Sequence, residues 1–137
     1  MGKKIREAMT PNPETIDVSA QIVEAAKRMK EADAGMIPVT ENGKLAGTVT
    51  DRDIAVRVVA EGRDPQSCTV GEIASRDVVT VEPDQDLSEG LEMMARHQVR
   101  RLPVVEGDRL VGVLAQADVA READERKVGE TVEQISS

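Results

Sequence analysis

The stretch Gly47-Thr48-Val49-Thr50-Asp51-Arg52-Asp53-Ile54 decides the reading. Its first half suits an extended strand, and Thr50 then stands where a helix N-cap stands. Asp51 and Asp53 fall in the first turn, where carboxylates favour the positive end of the helix dipole. Sixty-five residues later, Gly112-Val113-Leu114-Ala115-Gln116-Ala117-Asp118-Val119 repeats the layout. A shift of 65 lays residues 5–57 on 70–122 without a gap, and 11 of the 53 pairs are identical. Glu7/Glu72, Pro38/Pro103, Gly47/Gly112 and Asp53/Asp118 are among them. Chance at average residue usage gives about three. Copies of about 55 residues are too small to be comfortable alone, so they are expected to pack as one pseudo-symmetric unit.

Working outward, each copy reads alike. A short amphipathic piece leads (Ile5–Met9, Val70–Ala74), then an extended segment (Thr15–Val18, Val78–Val81). Ser19 and Asp84 are expected N-caps. Ile22, Ala25, Ala26 and Met29, and likewise Leu87, Leu91, Met94 and Ala95, recur at helical spacing. Met36-Ile37-Pro38-Val39 and Leu102-Pro103-Val104-Val105 read as buried strands, with proline marking an edge or a strand start. Glu41-Asn42-Gly43 and Glu106-Gly107-Asp108 read as hairpin turns. Leu45–Val49 and Leu110–Leu114 return. A helix follows each, Asp51–Glu61 ending at Gly62, and Gln116 to about Arg126. Val128–Ser137 reads as a short helix with a frayed end.

Composition removes several functions. The 137 residues include no Phe, Tyr or Trp, so no aromatic platform exists on which to stack a nucleic-acid base. A net charge of −8 opposes phosphate-backbone binding, so no nucleic-acid partner is expected. No apolar run approaches the roughly 18 residues of a membrane span, and no apolar leader opens the chain. No membrane partner is therefore expected. One cysteine, Cys68, and one histidine, His97, allow neither an internal disulfide nor a Cys/His zinc site in one chain. The lone thiol suits a cytoplasmic protein. No P-loop or nucleophile triad is present, and Asp51 and Asp53 diverge on a helix, so no catalytic residues are expected.

Two signatures recur together: one ends in Pro-Val after the first helix (Met36-Ile37-Pro38-Val39, Arg101-Leu102-Pro103-Val104), and the other is Gly-x-x-[Thr]-x-x-Asp at the exit of the second hairpin strand, with Ala115 at the Thr position of the second copy. With both present twice at one offset, residues 3–125 resemble a tandem pair of cystathionine-β-synthase (CBS) domains, similar to small stand-alone bacterial two-CBS proteins, the actinobacterial hypoxic-response type included. The resemblance implies an α+β (α/β) fold. Two β-α-β-β-α units form a pseudo-twofold Bateman module, with small sheets packed together and helices outside. The expected organisation is 1–62 for the first motif, 63–67 for the linker, 68–126 for the second and 127–137 for the tail. It also implies clefts between the motifs that take an adenosine-containing regulatory ligand (AMP, ADP, ATP or similar), no required cofactor, a homodimer and a separate, unknown effector protein.

Carried over by family position, one cleft uses Thr50 and Arg52 for phosphate and Asp53 for the ribose diol. Val78, Thr80, Val99 and Arg100 line its base, with Met36 near the phosphates and Ile37 beside it. The other uses Arg101 for phosphate and Asp118 for ribose, with Thr15 on the base wall. The second copy lacks the hydroxyl, having Ala115, so the Asp53 cleft is the better match. Plainer roles stay open. Asp53 and Asp118 also serve as first-turn acids, and Thr50 as a cap. Arg100 and Arg101 also suit a solvated pair, and His97 a helix end. The alternative function is a protein–protein interaction or stress-response module with vestigial clefts.

Overall fold

The structure is a computed structural model whose described residues run from Gly2 to Glu122. In chain order the elements are α1 (Ile5–Ala8), β1 (Thr10–Pro11), β2 (Ile16–Asp17), α2 (Ile22–Ala32), β3 (Met36–Glu41) and β4 (Lys44–Thr50). α3 (Asp51–Ile54) and a π-helical turn (Ala55–Val59) come next, then α4 (Val70–Ile73), α5 (Leu87–His97), β5 (Arg101–Glu106) and β6 (Arg109–Ala115). A further helix starts at 116. Its expected end near Arg126, and the tail helix, lie outside the described residues. No helix among the described residues is long and apolar enough to cross a membrane.

The chain divides into two compact units that cut across the repeat. The first comprises Glu14–Val78 with Gly107–Leu110; the second comprises the residues up to Pro13, Val79–Glu106 and those from Val111. Each copy's leading helix therefore belongs to the unit built on the other copy's hairpin. The apolar residues explain it. Val70 and Ile73 of α4 are buried with Ile16, Ile22, Ile37, Val39, Val49 and Val58. Ile5 of α1 is buried with Val81, Met94, Leu102, Val104 and Leu114.

Backbone hydrogen bonds fix each leading helix in the same way. In the first unit the Val70 and Gly71 N–H groups donate to the Ala20 and Val18 carbonyls at 2.8 and 2.9 Å. In the second, the Ile5 and Arg6 N–H groups donate to Gln85 and Pro83, each at 2.9 Å. The Glu7 and Glu72 carboxylates each accept the N–H three residues earlier, from Lys4 and Thr69, at 2.7 Å. A first-turn acid closing its own N-terminus accounts for that identical pair.

In the first unit β2 runs parallel to β3 (Ile16 opposite Val39), and β3 pairs antiparallel with β4 from Met36–Thr50 to Glu41–Lys44. Asn42 and Gly43, at φ 54° and 80°, make the two-residue primed turn that joins them. Pro38 is neither at an edge nor at a strand start: it is the third residue of β3, opposite Thr48. Thr48 turns its N–H and carbonyl to Ser75 instead (3.0 and 2.9 Å), so the ladder asks no N–H of Pro38 at that rung. In the second unit the Val81 N–H uses the Pro103 carbonyl at 3.1 Å.

Other expectations need correction. The helices start later than Ser19 and Asp84, with Gln21 and Asp86 at the N-cap positions. A turn intervenes: Ala20 N–H reaches Asp17 and Gln85 N–H reaches Glu82, while Ser19 bonds the Asp17 carboxylate and Asp84 pairs with Arg6. The extended segment of the second copy is reduced to a bridge between Val81 and Val104. Cys68 is buried in the core of the first unit, and burial pushes its thiol pKa up.

The signature glycines sit where the leading segment crosses the hairpin. A Cβ on Gly47 would collide with the Ser75 carbonyl oxygen. A Cβ on Gly112 would lie 2.9 Å from the Thr10 carbonyl oxygen and 2.5 Å from the Met9 sulfur. Gly47→Ala and Gly112→Ala are each expected to cost about 1–3 kcal/mol, the usual toll of overpacking. Urea unfolding of the two variants measures it.

A pH dependence follows from Glu72. The Thr69 N–H bonded to its carboxylate, helped by Cys68, holds its pKa below the ordinary 4.5. The unfolded chain then takes up this proton at higher pH than the folded one. The contribution is present above the ordinary carboxylate range and is lost as pH falls through the lowered native value. Glu72→Gln is expected to flatten the acid limb of stability against pH, measured by urea midpoints at a series of pH values.

Candidate functional site

Both candidate sites are built where the second hairpin strand runs into its helix. In the first unit Thr50, extended at φ −117°, ends β4 and caps α3. Its hydroxyl accepts the Asp53 N–H at 3.0 Å, and the Asp53 carboxylate accepts the Thr50 N–H at 2.9 Å. The two residues expected to hold a ligand thus satisfy each other in a capping box. The second Asp53 oxygen stands 3.9 Å from the Arg57 Nε, and the Asp53 side chain is 15% exposed. Arg57 also donates to the Ile73 carbonyl at 3.0 Å, so one guanidinium links the candidate carboxylate to the end of α4.

The loop before β3 closes on the same point. Asp51 N–H donates to the Gly35 carbonyl at 3.0 Å, and the Asp51 carboxylate lies against Gly35. Met36 faces Thr50 in register. Arg52 is exposed, with its N–H on the Asp51 carboxylate at 2.8 Å. Ile37 is 3% exposed and points its side chain into the core, which leaves only its backbone for a ligand. Thr15 is half-buried, and its carbonyl accepts from Arg28 at 2.6 Å. Val78 is half-buried.

The second unit repeats the frame with different side chains. Gln116 N–H donates to the Arg100 carbonyl at 2.8 Å, as Asp51 does to Gly35. Ala115 has no hydroxyl, so no capping box forms. Asp118 is 18% exposed, and its partner is Arg121 at 3.1 Å. Arg100 and Arg101 are both exposed at the entry to β5, beside Val99, while Thr80 is half-buried. His97 is an exposed residue at the end of α5. Among the described residues, no three His, Cys, Asp or Glu side chains gather to hold a metal.

The CBS-domain family model matches residues 5–60 and again 70–125. The chain belongs to the CBS-domain family. The CBS domain-containing protein YhcV of Bacillus subtilis is 43% identical over 116 residues, covering 85% of this chain and 82% of its own. The crystal structure of Hypoxic Response Protein I with two coordinated zinc ions has a TM-score of 0.81 at 36% identity, covering 87% of this chain and 98% of that one. The CBS domain pair of protein MJ0100, in complex with 5′-methylthioadenosine and S-adenosyl-L-methionine, reaches a TM-score of 0.81 at 26% identity over 92% of this chain and 99% of that one. The tandem CBS reading and the α+β class stand on these matches.

Arg57 is the residue that the sequence reading of this CBS chain missed. Asp53 and Arg57 are four apart on a helix, a spacing that signals an ion pair. The bond to Ile73 carries no local signal. Loss of the box is expected to cost about 1 kcal/mol, so Thr50→Ala lowers stability by that order. Ala115→Thr, which supplies the missing hydroxyl, is expected to raise it. Thermal and urea unfolding of both variants provides the check.

Proposed function

We propose that this CBS pair is a regulatory module that binds an adenosine-containing ligand at its two signature segments, rather than an enzyme. The observation that carries the reading is the recurrence, 65 residues apart, of a mostly buried aspartate at a strand-to-helix turn. Asp53 and Asp118 are 15% and 18% exposed, and each is steadied by an arginine one turn on. A carboxylate held this way suits a ribose diol, because two adjacent hydroxyls can donate to it together. The adenosyl ligands named for the MJ0100 pair support the ligand class.

The ligand acts by population shift, stabilising whichever arrangement it binds better. The signal passes to a separate effector protein. A homodimer working in the cytoplasm completes the proposal. A second reading, an interaction module with vestigial sites, is favoured at one place by the Thr50–Asp53 box, which leaves neither residue in need of a ligand.

A thermal-shift and calorimetry panel of AMP, ADP, ATP and S-adenosylmethionine separates them. Asp53→Asn keeps an oxygen for the cap while removing the charge, and Asp118→Asn does the same for the second site. At a ligand concentration one hundred times Kd, the stabilisation is about 2.7 kcal/mol, which is read as a raised Tm. The regulatory reading requires at least one such shift, lost in the double variant. No shift with any compound leaves the interaction module, and a full shift in the double variant overturns the placement of the ligand at Asp53 and Asp118.

A further inference from the structure

Arg57 is shared between two acceptors of the first unit. Its Nη1 donates to the Ile73 carbonyl at 3.0 Å, while its Nε stays 3.9 Å from the Asp53 Oδ1, too far for a hydrogen bond. The other Asp53 oxygen, Oδ2, accepts the Thr50 N–H at 2.9 Å. Among the described residues, no cation besides Arg57 pairs with this carboxylate, and Arg52, one residue before it, is exposed. Ile73 is the last residue of α4, and Ala74 and Ser75 follow it and lie over Gly47. Arg57 also stands in the π-helical turn, a kind of irregularity that concentrates at functional sites. The second unit is wired differently. Position 57 corresponds to 122 in the repeat, where an acid replaces the base. Glu122 pairs with Lys3 of the leading segment at 2.7 Å, and Asp118 is paired directly by Arg121 at 3.1 Å. There the leading segment is tied to the signature helix through a residue that does not also pair with the aspartate.

We infer that Arg57 is a positioning residue of the Asp53 site and makes the seating of α4 a condition of binding there. The inference rests on the adenosine-binding reading above and adds how that site is regulated. With α4 seated, the Ile73 carbonyl holds the guanidinium back from Oδ1, and that oxygen is open to a ribose hydroxyl. With the end of α4 lifted from Gly47, the tether is gone. Arg57, four residues on along the helix, then closes on the carboxylate as an i, i+4 ion pair. A ribose hydroxyl must now displace a charge-assisted partner. The ligand therefore favours the seated state, and the seated state favours the ligand, because coupling between two sites is reciprocal. In the second unit Asp118 lacks such a tether, so its site is not coupled to α1 in this way.

The test uses AMP and S-adenosylmethionine as probes on the full chain carrying Asp118→Asn, so that only the Asp53 site reports. The Ala74 amide shares its peptide group with the Ile73 carbonyl, so its nitrogen shift in NMR spectra reads the Arg57 bond. A saturating probe is expected to move the Ala74 signal, and to leave it in place in the probe-saturated Arg57→Gln protein. Calorimetry supplies a second readout. Gly47→Ala, which forces the Ser75 carbonyl off the strand, is expected to weaken the probe about fivefold or more with Arg57 present and less than about twofold with Arg57→Gln. An Ala74 signal unmoved by a saturating probe overturns the inference, as does equal movement in Arg57→Gln. Loss of binding in Arg57→Gln, or equal weakening by Gly47→Ala in both backgrounds, overturns it too. A probe that binds the wild type but not the Asp118→Asn protein overturns the inference and leaves the adenosine-binding reading standing. If neither probe binds the wild type, that reading itself fails and the inference falls with it.

Discussion

One close approach sets the terms for this fold: the backbone of a leading segment lies directly over a glycine in the second hairpin strand. The Ser75 carbonyl covers Gly47, and the Thr10 carbonyl covers Gly112. Any side chain at the crossing would hold the segment off and break the paired Thr48–Ser75 bonds. With the crossing made, Val70 and Ile73 reach one core and Ile5 reaches the other. The glycine therefore belongs to the scaffold, although it opens the motif whose later residues carry the candidate chemistry.

The same frame then presents two different surfaces. The amide tie from helix start to preceding loop is preserved in both units, at 3.0 and 2.8 Å. The side chains hung on it are free to diverge, because the backbone alone holds the geometry. In the first unit Thr50 and Asp53 lock one another and Arg57 ties the carboxylate to α4. In the second, Ala115 offers no hydroxyl for a box, and Arg100 and Arg101 are exposed. The two copies keep the positions and differ in the charge carried there.

Much of this was legible in the residues. Hairpins announced themselves through Asn42-Gly43 and Gly107, whose backbone demands are local. The repeat offset located both candidate sites, since identity at Gly47/Gly112 and Asp53/Asp118 needs no structure to see. Other features were hidden for a physical reason. That α4 packs with the first copy is a long-range fact, and its short apolar pattern looks the same in either partner. The helices start late, at Gln21 and Asp86, because a turn precedes each; Ser19 is spent on the Asp17 carboxylate and Asp84 on Arg6, so both misled. The π-helical turn at Ala55–Val59 leaves no mark in hydrophobic spacing. The Cys68 burial, like Arg57 on the Ile73 carbonyl, depends on what tertiary packing brings near.

The leading segment is stitched to the hairpin strand through its backbone. Amide hydrogen exchange at Ser75 and Thr48 tests it most directly. Both N–H groups are predicted to be protected to the same degree as the β3–β4 ladder, because opening either requires the crossing over Gly47 to part. Ser75 exchanging at the rate of an unstructured loop, while the ladder stays protected, would contradict the account.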